Sequence, residues 1–318
     1  MIDFRYFLVT IVAIFFALAV GIVLGSGPLE TTINGAIQGQ TDQLVAQKRA
    51  LQDQVAQLES DVNARDTFTK AMEPVIVEGT LTGRAVTLVA LPGASPDDVR
   101  ASNDVVTEAG ATVGGTVTIT PSWTDPGQRD VLQQLTTSLA PATQQLPSDP
   151  YQAAAAVLSG ALMDKVNHGS DRLSPDDAGV LAGYQEGGFI TLGGDDPSTV
   201  RKGTLAVVVA APVDSGADTT FLGDENASLL PLSDEFYRNG QGAVAAGPGS
   251  AAQPGGYLSA VRDSTLSGQV STVDLLPEAI GRVVLVFALE EQINGGSGHY
   301  GTGPGADSVA PPVTTATP

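Results

Sequence analysis

The chain of 318 residues contains no cysteine and only 15 basic residues. Without cysteine it cannot form a disulfide scaffold or a thiolate metal site, and the absence of stray thiols is typical of a protein outside the cytoplasm. The 15 Lys and Arg stand against 35 Asp and Glu, for a formal net charge of −20. Neutralising phosphates requires clustered Lys and Arg, so we expect no nucleic-acid partner and no docking on anionic lipid.

Ligands for a soft metal ion are equally scarce. The two histidines, His168 and His299, are far apart in sequence, and each has glycine nearby. Both are predicted to be solvated loop residues. The three methionines, Met1, Met72 and Met163, do not cluster in the sequence either. A soft-metal site requires several such side chains together, so the residues themselves predict no metal cofactor.

Common catalytic motifs are also missing. The chain has no Gly-Lys pair for a P-loop, no G-x-S-x-G and no H-E-x-x-H, so we expect a protein that is not an enzyme. A G-x-G-x-x-A pattern runs from Gly247 to Ala252, but Pro248 and its late position differ from a dinucleotide fingerprint. Asp195 and Asp196 follow two glycines, which predicts a turn, with a hard-cation site as the alternative.

What the chain does have is a long apolar run near its start. Residues 7–25 carry no charge, and their length matches the hydrocarbon core of a bilayer, which predicts a transmembrane helix. Arg5 lies before this run and the first cations after it are Lys48 and Arg49, so residues 1–6 are predicted to be cytoplasmic and the rest extracytoplasmic. The alternative is a signal peptide cleaved near Gly25, which would leave a secreted protein.

A long polar helical pattern follows over residues 29–73 and ends before Pro74. Apolar residues recur in it with heptad spacing, and Leu51, Val55, Leu58 and Val62 are assigned in turn to a, d, a and d positions, which predicts a coiled-coil stalk. The alternative is an amphipathic helix packed on its own domain. The predicted coiled-coil interface, which would join a homodimer or a partner, consists of Ile37, Leu44, Leu51, Val55, Leu58 and Val62.

Residues 84–294 alternate between short apolar runs and helical patterns. This alternation predicts an α/β domain with a mostly parallel, Rossmann-like sheet flanked by helices. The apolar run at residues 205–211 is typical of a strand buried on both faces, and residues 228–238 are predicted to be helical. The Gly-, Ser-, Pro- and Thr-rich residues 295–318 are predicted to form a disordered tail.

Three stretches carry a resemblance to a known family. They are MIDFRYFLVTIVAIFFALAVGIVLGSGPL at the N-terminus, FLGDENASLLPLSDEF from Phe221, and STVDLLPEAIGRVVLVFALEEQINGGSGHYG from Ser271. The chain resembles the actinobacterial MctB family, copper transport protein B, which includes the corynebacterial envelope protein SteB. Residues 275–278 depart from the family pattern, because they replace a more polar stretch.

The resemblance implies two functions. One is copper homeostasis, with copper as the ion handled and a proposed pore in the outer membrane. The other is control of the cell envelope during division with a membrane partner called SteA. The sequence does not support outer-membrane placement, because a barrel needs at least about eight alternating strands with aromatic girdles and only 5% of these residues are aromatic.

Three hypotheses follow. In the first, the protein is a non-enzymatic, single-pass membrane protein that scaffolds or regulates a partner through its coiled coil, the partner being a second copy or a SteA-like protein. The second is a component of copper transport or efflux, as the family name implies. The third is a ligand-binding sensor domain.

Overall fold

The computed structural model describes residues 4–25, 29–165, 172–194, 199–214 and 216–312. The chain divides into two compact units, Met1–Arg65 and Asp66–Pro318. The predicted α/β class is confirmed, with an N-terminal apolar helix and a mostly parallel sheet flanked by helices. The second unit begins earlier in the chain than the predicted boundary at residue 84, because the end of the long helix packs within it.

The first unit contains α1 (Phe4–Gly25) and most of α2 (Leu29–Val77). Helix α1 is apolar apart from a few residues near its start, Arg5 among them, and its side chains from Arg5 onward are exposed. One segment among the described residues, Arg5–Gly25, is helical, long and apolar enough to span a membrane. Length and composition therefore agree with the predicted span.

Helix α2 does not end before Pro74 as predicted but continues to Val77. A proline inside a helix removes one backbone hydrogen bond and clashes with the preceding turn, so continuation needs compensating contacts. Val77 is fully buried in the core of the second unit, as is Leu81 just beyond the helix. Burial of these two side chains offsets part of the cost of the proline.

The second unit is built on a seven-stranded sheet of order β3-β2-β1-β4-β5-β6-β7. All neighbouring strands are parallel except β3, which pairs antiparallel with β2. The strands are β1 (Ala85–Ala90), β2 (Thr112–Ile119), β3 (Ile190–Leu192), β4 (Leu205–Val209), β5 (Gly242–Ala246), β6 (Ser271–Val273) and β7 (His299–Tyr300). Its helices are α3 (Pro96–Glu108), α4 (Arg129–Leu139), α5 (Pro150–Leu162), α6 (Pro175–Glu186), α7 (Thr219–Asn239), α8 (Tyr257–Arg262) and α9 (Ala279–Ile293).

The central strand β4 is buried on both faces, as its unbroken apolar run predicts. Leu205, Val207 and Val209 face the core that α3, α9 and the end of α2 cover. Ala206 and Val208 face the opposite core, which α5, α6 and α7 help to form. Alternate side chains of one strand therefore hold helices on both sides of the sheet.

Two sequence predictions are corrected in this unit. Helix α7 starts at Thr219, not at residue 228, because the Asp218 carboxylate accepts a hydrogen bond from the Thr220 amide and caps an additional N-terminal part of the helix. Residues 295–312 are not a disordered tail: β7 pairs with β6 and buries His299 and Tyr300. The composition predicted disorder because it gives no sign of the polar contacts and the single buried aromatic ring, Tyr300, that order this segment. Residues 313–318 lie outside the described part.

Candidate functional site

The predicted interface residues of α2 form an open apolar stripe. Their side chains are between 52% and 65% exposed, for Leu44, Leu51, Val55, Leu58 and Val62. Residue 37 is helical, but its side chain lies outside the described part. Packing of this face on its own domain and packing on a second helix both stay predictions. The coiled coil itself stays a prediction, since it needs a second helix.

The last turns of α2 are fixed within the second unit by two polar contacts to α9. The Arg282 guanidinium donates from Nε and a terminal nitrogen to both carboxylate oxygens of Glu73, each at 2.8 Å. Both side chains are largely buried, at 13% and 7% exposure. The Asp66 carboxylate accepts a hydrogen bond from the Ala279 amide at 3.0 Å, at the N-terminus of α9, where negative charge is favoured.

Acidic groups surround this junction. Burial, and then the negative charge of Asp97, raises the pKa of the Asp98 carboxyl. Burial, and then the charge of Glu73, raises the pKa of Glu108. Burial also raises the pKa of Glu278, with a smaller contribution from Asp66. Arg282 contributes opposing positive charge at Asp98 and Glu108, so losing it would leave these carboxylates in an unbalanced negative field.

A buried ion pair lies at the carboxyl end of β6. A terminal nitrogen of Arg262 lies 2.8 Å from an oxygen of the Asp274 carboxylate, with side chains only 3% and 0% exposed. The carboxylate oxygen that Arg262 does not contact accepts a hydrogen bond from the Thr302 amide at 2.9 Å. The oxygen that Arg262 contacts also accepts a hydrogen bond from the Gly303 amide at 3.1 Å. Arg262 also donates to the Pro304 carbonyl at 2.6 Å. The C-terminal segment is thus folded around this pair.

His299 is not the solvated loop residue that the sequence predicted. It lies in β7 at 8% exposure, and its Nδ1 is 3.0 Å from the Thr272 hydroxyl oxygen. The same hydroxyl accepts a hydrogen bond from Arg262 Nε at 2.8 Å, so its own proton is free to go to Nδ1 of a neutral imidazole. Burial, and then the charge of Arg262, lowers the pKa of His299, against an opposing effect of Asp307.

This lowered pKa predicts a pH effect on stability. A histidine that binds its proton less readily when folded contributes stability above its unfolded pKa, near 6.5, and that contribution is lost as the pH falls below it. We expect the wild type to lose more stability between pH 7.5 and pH 5.5 than His299→Gln. Urea unfolding at the two pH values measures the difference. An equal loss in both proteins would contradict the buried, neutral imidazole.

The crevice where the strand order reverses, between β1 and β4, is the usual ligand site of such a sheet. The loops that follow these two strands approach each other there, since a Cβ on Gly93 would lie 3.4 Å from the Cβ of Ala211. Asp97 and Asp98 occupy the first turn of α3 beside it and would repel a phosphate group. These features do not support a nucleotide, and the ligand-sensor hypothesis stays a prediction.

The G-x-G-x-x-A pattern does not open a long helix. Residues Gly249–Ala252 form a single 3₁₀ turn, which lacks the aligned backbone dipoles that hold a pyrophosphate. The acidic pair at residues 195 and 196, considered for a hard cation, and the histidine at 168 lie outside the described residues. The described residues therefore show no ligand site at any of these positions.

Comparison with known proteins decides the family. Residues 1–311 match the model of a family described as "Copper transport outer membrane protein, MctB". The chain belongs to the MctB family. It is 33% identical over 316 residues to the copper transporter MctB of Mycobacterium tuberculosis (strain H37Rv) and to that of Mycobacterium bovis, covering 97% of this chain and 99% of each relative. The Mycobacterium leprae protein of the same name is 31% identical over 328 residues, with coverage of 98% and 100%.

The described residues of this MctB-family chain offer little for holding copper. They contain no group of three or more His, Cys, Asp or Glu side chains arranged to hold a metal ion. Every buried side-chain nitrogen or oxygen among them has a hydrogen-bond partner, so none is an orphaned ligand. The Nδ1 atom of His299 is engaged by Thr272. The donor set in the described ranges therefore does not fit a tight resident copper ion.

Proposed function

We propose that this protein is a membrane-anchored component of copper homeostasis at the cell envelope. The observation that supports the proposal is the match to proteins named copper transporter MctB along nearly the whole chain. The family is associated with transport and is not a known enzyme family. We infer that α1 anchors the chain in the membrane and that the α/β domain lies on the extracytoplasmic side.

Its part in copper handling is indirect in this proposal. A single apolar helix cannot enclose a path for an ion, because it offers no polar lining beyond Thr10, whose hydroxyl donates to the Tyr6 carbonyl within the same helix. The described residues also lack a grouped set of copper ligands. The protein would therefore affect copper by acting on another chain, not by carrying the ion in a preformed site.

Removing the gene from its host tests the role in copper homeostasis. We expect the deletion strain to contain more copper than the wild type when grown with added copper, and to grow more slowly at high copper. Expression of the wild-type chain should restore both. Copper content is measured by mass spectrometry of washed cells, with zinc content as the internal control. Unchanged copper content and unchanged growth would contradict the proposed function.

Copper titration of the full chain in detergent tests whether the role is indirect. Because the described ranges hold no set of copper ligands, we expect no submicromolar binding of copper. Calorimetry of the wild type, His299→Gln and His168→Gln makes the comparison. A submicromolar site that either substitution abolishes would show that the protein binds copper directly, and the indirect role would then be wrong.

A second candidate function is the scaffold or regulator of an envelope partner. The exposed stripe on α2 favours it, because large apolar side chains rarely lie open along one helix face without a partner. Leu51→Asn with Leu58→Asn should reduce recovery of crosslinked partners from membranes. The matched control is Asp53→Asn with Ser60→Asn, two exposed residues on the opposite face of α2 with the same spacing. An unchanged set of partners in the first variant would count against this function.

A further inference from the structure

We propose that the partner of the α2 stripe is a second copy of this chain, joined as a parallel two-stranded coiled coil between Leu44 and Val62. The proposal rests on the proposed function only in treating α2 as the interacting surface. It names the occupant of that surface, which neither the fold nor the comparisons assign.

The spacing fixes the heptad positions. From Leu51 the apolar residues follow at steps of four, three and four, and the step from a d position to the next a position is four residues. Leu51 and Leu58 therefore occupy d positions, and Val55 and Val62 occupy a positions. The predicted assignment of Leu51 to an a position is therefore wrong, because a step of four residues leads from d to a. A β-branched residue at a with leucine at d favours a parallel dimer.

The surface of α2 has the shape this packing needs. Val55, Leu58, Glu59 and Val62 line one shallow groove together with Asn63. The first four are spaced as the residues that form a hole for a knob from a facing helix. Leu44, Gln47, Lys48 and Leu51 repeat the same spacing about three turns nearer the N-terminus of the helix, where they line a second groove. Successive holes thus follow the seam itself.

The residues beside the seam allow two identical helices to pair. In a parallel dimer Gln47 faces Gln52 of the other copy, and Gln54 faces Glu59, so neither pair brings like charges together. The following pair, Asp61 with Asp66, is acidic on both sides, and there the apolar seam ends at Val62. Charge and apolar pattern therefore agree on where pairing stops.

Two features select the parallel, in-register arrangement. Lys48 occupies an a position, and a single polar residue there specifies register and oligomer size at some cost in stability. Helix α1 also supplies a candidate span immediately before α2. Two copies inserted in the same membrane would begin α2 at the same surface, so their seams would run in the same direction.

The absence of cysteine allows a direct test in the full chain. Single substitutions Leu44→Cys, Val55→Cys and Val62→Cys are made on the seam, and Ser60→Cys on the opposite face is the matched control. Membranes containing each variant are oxidised mildly with diamide, and disulfide-linked dimer is quantified on a non-reducing gel. We expect each seam position to give about tenfold more dimer than residue 60, because a disulfide forms only when the two Cα atoms are within about 7 Å.

Two results would overturn the proposal. Equal crosslinking at residues 55 and 60 would exclude a second copy on the seam and would favour a different partner. Crosslinking at residue 55 without residues 44 and 62 would indicate antiparallel pairing around a central position, and the parallel dimer would be wrong. Copper is not measured in this experiment. Failure of the proposed function would instead appear as unchanged copper content in the deletion strain, while the full-length chain still crosslinks at its seam positions.

Discussion

Asp274→Ala should destabilise the domain by about 3–5 kcal/mol, the cost of removing one partner from a buried ion pair. The Arg262 guanidinium, whose side chain is 3% exposed in the native structure, would lose its counter-ion. The Thr302 and Gly303 amides would lose their acceptor as well, since both donate to this carboxylate. The three losses fall in one place, the carboxyl end of β6.

Urea unfolding of the full chain measures this effect, and Trp123, the single tryptophan, is fully buried and reports on it by fluorescence. The control is Asp97→Ala, which removes an ion pair with Arg100 whose side chains are 84% and 67% exposed. Exposed pairs contribute only about 0–1 kcal/mol, so the control should change little. A loss for Asp274→Ala as small as that of the control would show that the buried pair is not needed.

A double-mutant cycle separates the ion pair from the backbone contacts. Asp274→Asn keeps an oxygen that accepts a hydrogen bond but removes the charge, and Arg262→Met removes the guanidinium. If the pair is coupled, the double variant should be more stable than the sum of the two single losses predicts. Additive losses would mean that Asp274 stabilises the domain mainly by accepting the Thr302 and Gly303 amides.

Local periodicity accounts for what could be predicted. The span at residues 7–25 and the heptad spacing on α2 depend on neighbours along one helix, and the structure places them in α1 and α2. The run at residues 205–211 is apolar because both faces of β4 are buried, so its central position in the sheet follows from composition. Each of these elements could be predicted from the residues within it.

The polar contacts that shape the domain could not be predicted in this way. Glu73 and Arg282 form an ion pair although 209 residues separate them, and the heptad pattern gives no sign that α2 changes from exposed seam to buried contact after Val62. The antiparallel pairing of β3 could not be predicted from the sequence either, because a strand of three residues has too little pattern to indicate its direction relative to β2. Non-local pairing of this kind is decided by the whole fold.

The tail shows the same limit most clearly. Few large apolar residues and many glycines predict disorder, because such a segment buries too little surface to offset its loss of entropy. Residues 295–312 are instead ordered by contacts to other elements, namely to Asp274 after β6 and to Arg262 at the end of α8. Glycine is required there: at Gly301 φ is +134°, and a Cβ would overlap the Asp274 carboxylate.

Truncation after Asn294 tests whether residues 295–312 stabilise the domain or are a disordered tail. A disordered tail could be removed without effect. In the structure, truncation removes β7, the 3%-exposed ring of Tyr300 and the carbonyl of Pro304 that Arg262 uses. Burial of one large side chain contributes about 1.5–3 kcal/mol, and a hydrogen bond to a charged group about 1.5–3 kcal/mol.

The summed loss, roughly 5 kcal/mol, equals the whole stability of many domains, so we expect the truncated chain to unfold at much lower urea or to be degraded in cells. Truncation after Pro312 keeps every one of these partners and serves as the control. If the shorter chain fails to accumulate, Gly301→Ala keeps the segment and should still lower the urea midpoint. An unchanged midpoint after truncation at Asn294 would show that residues 295–312 do not hold the sheet edge.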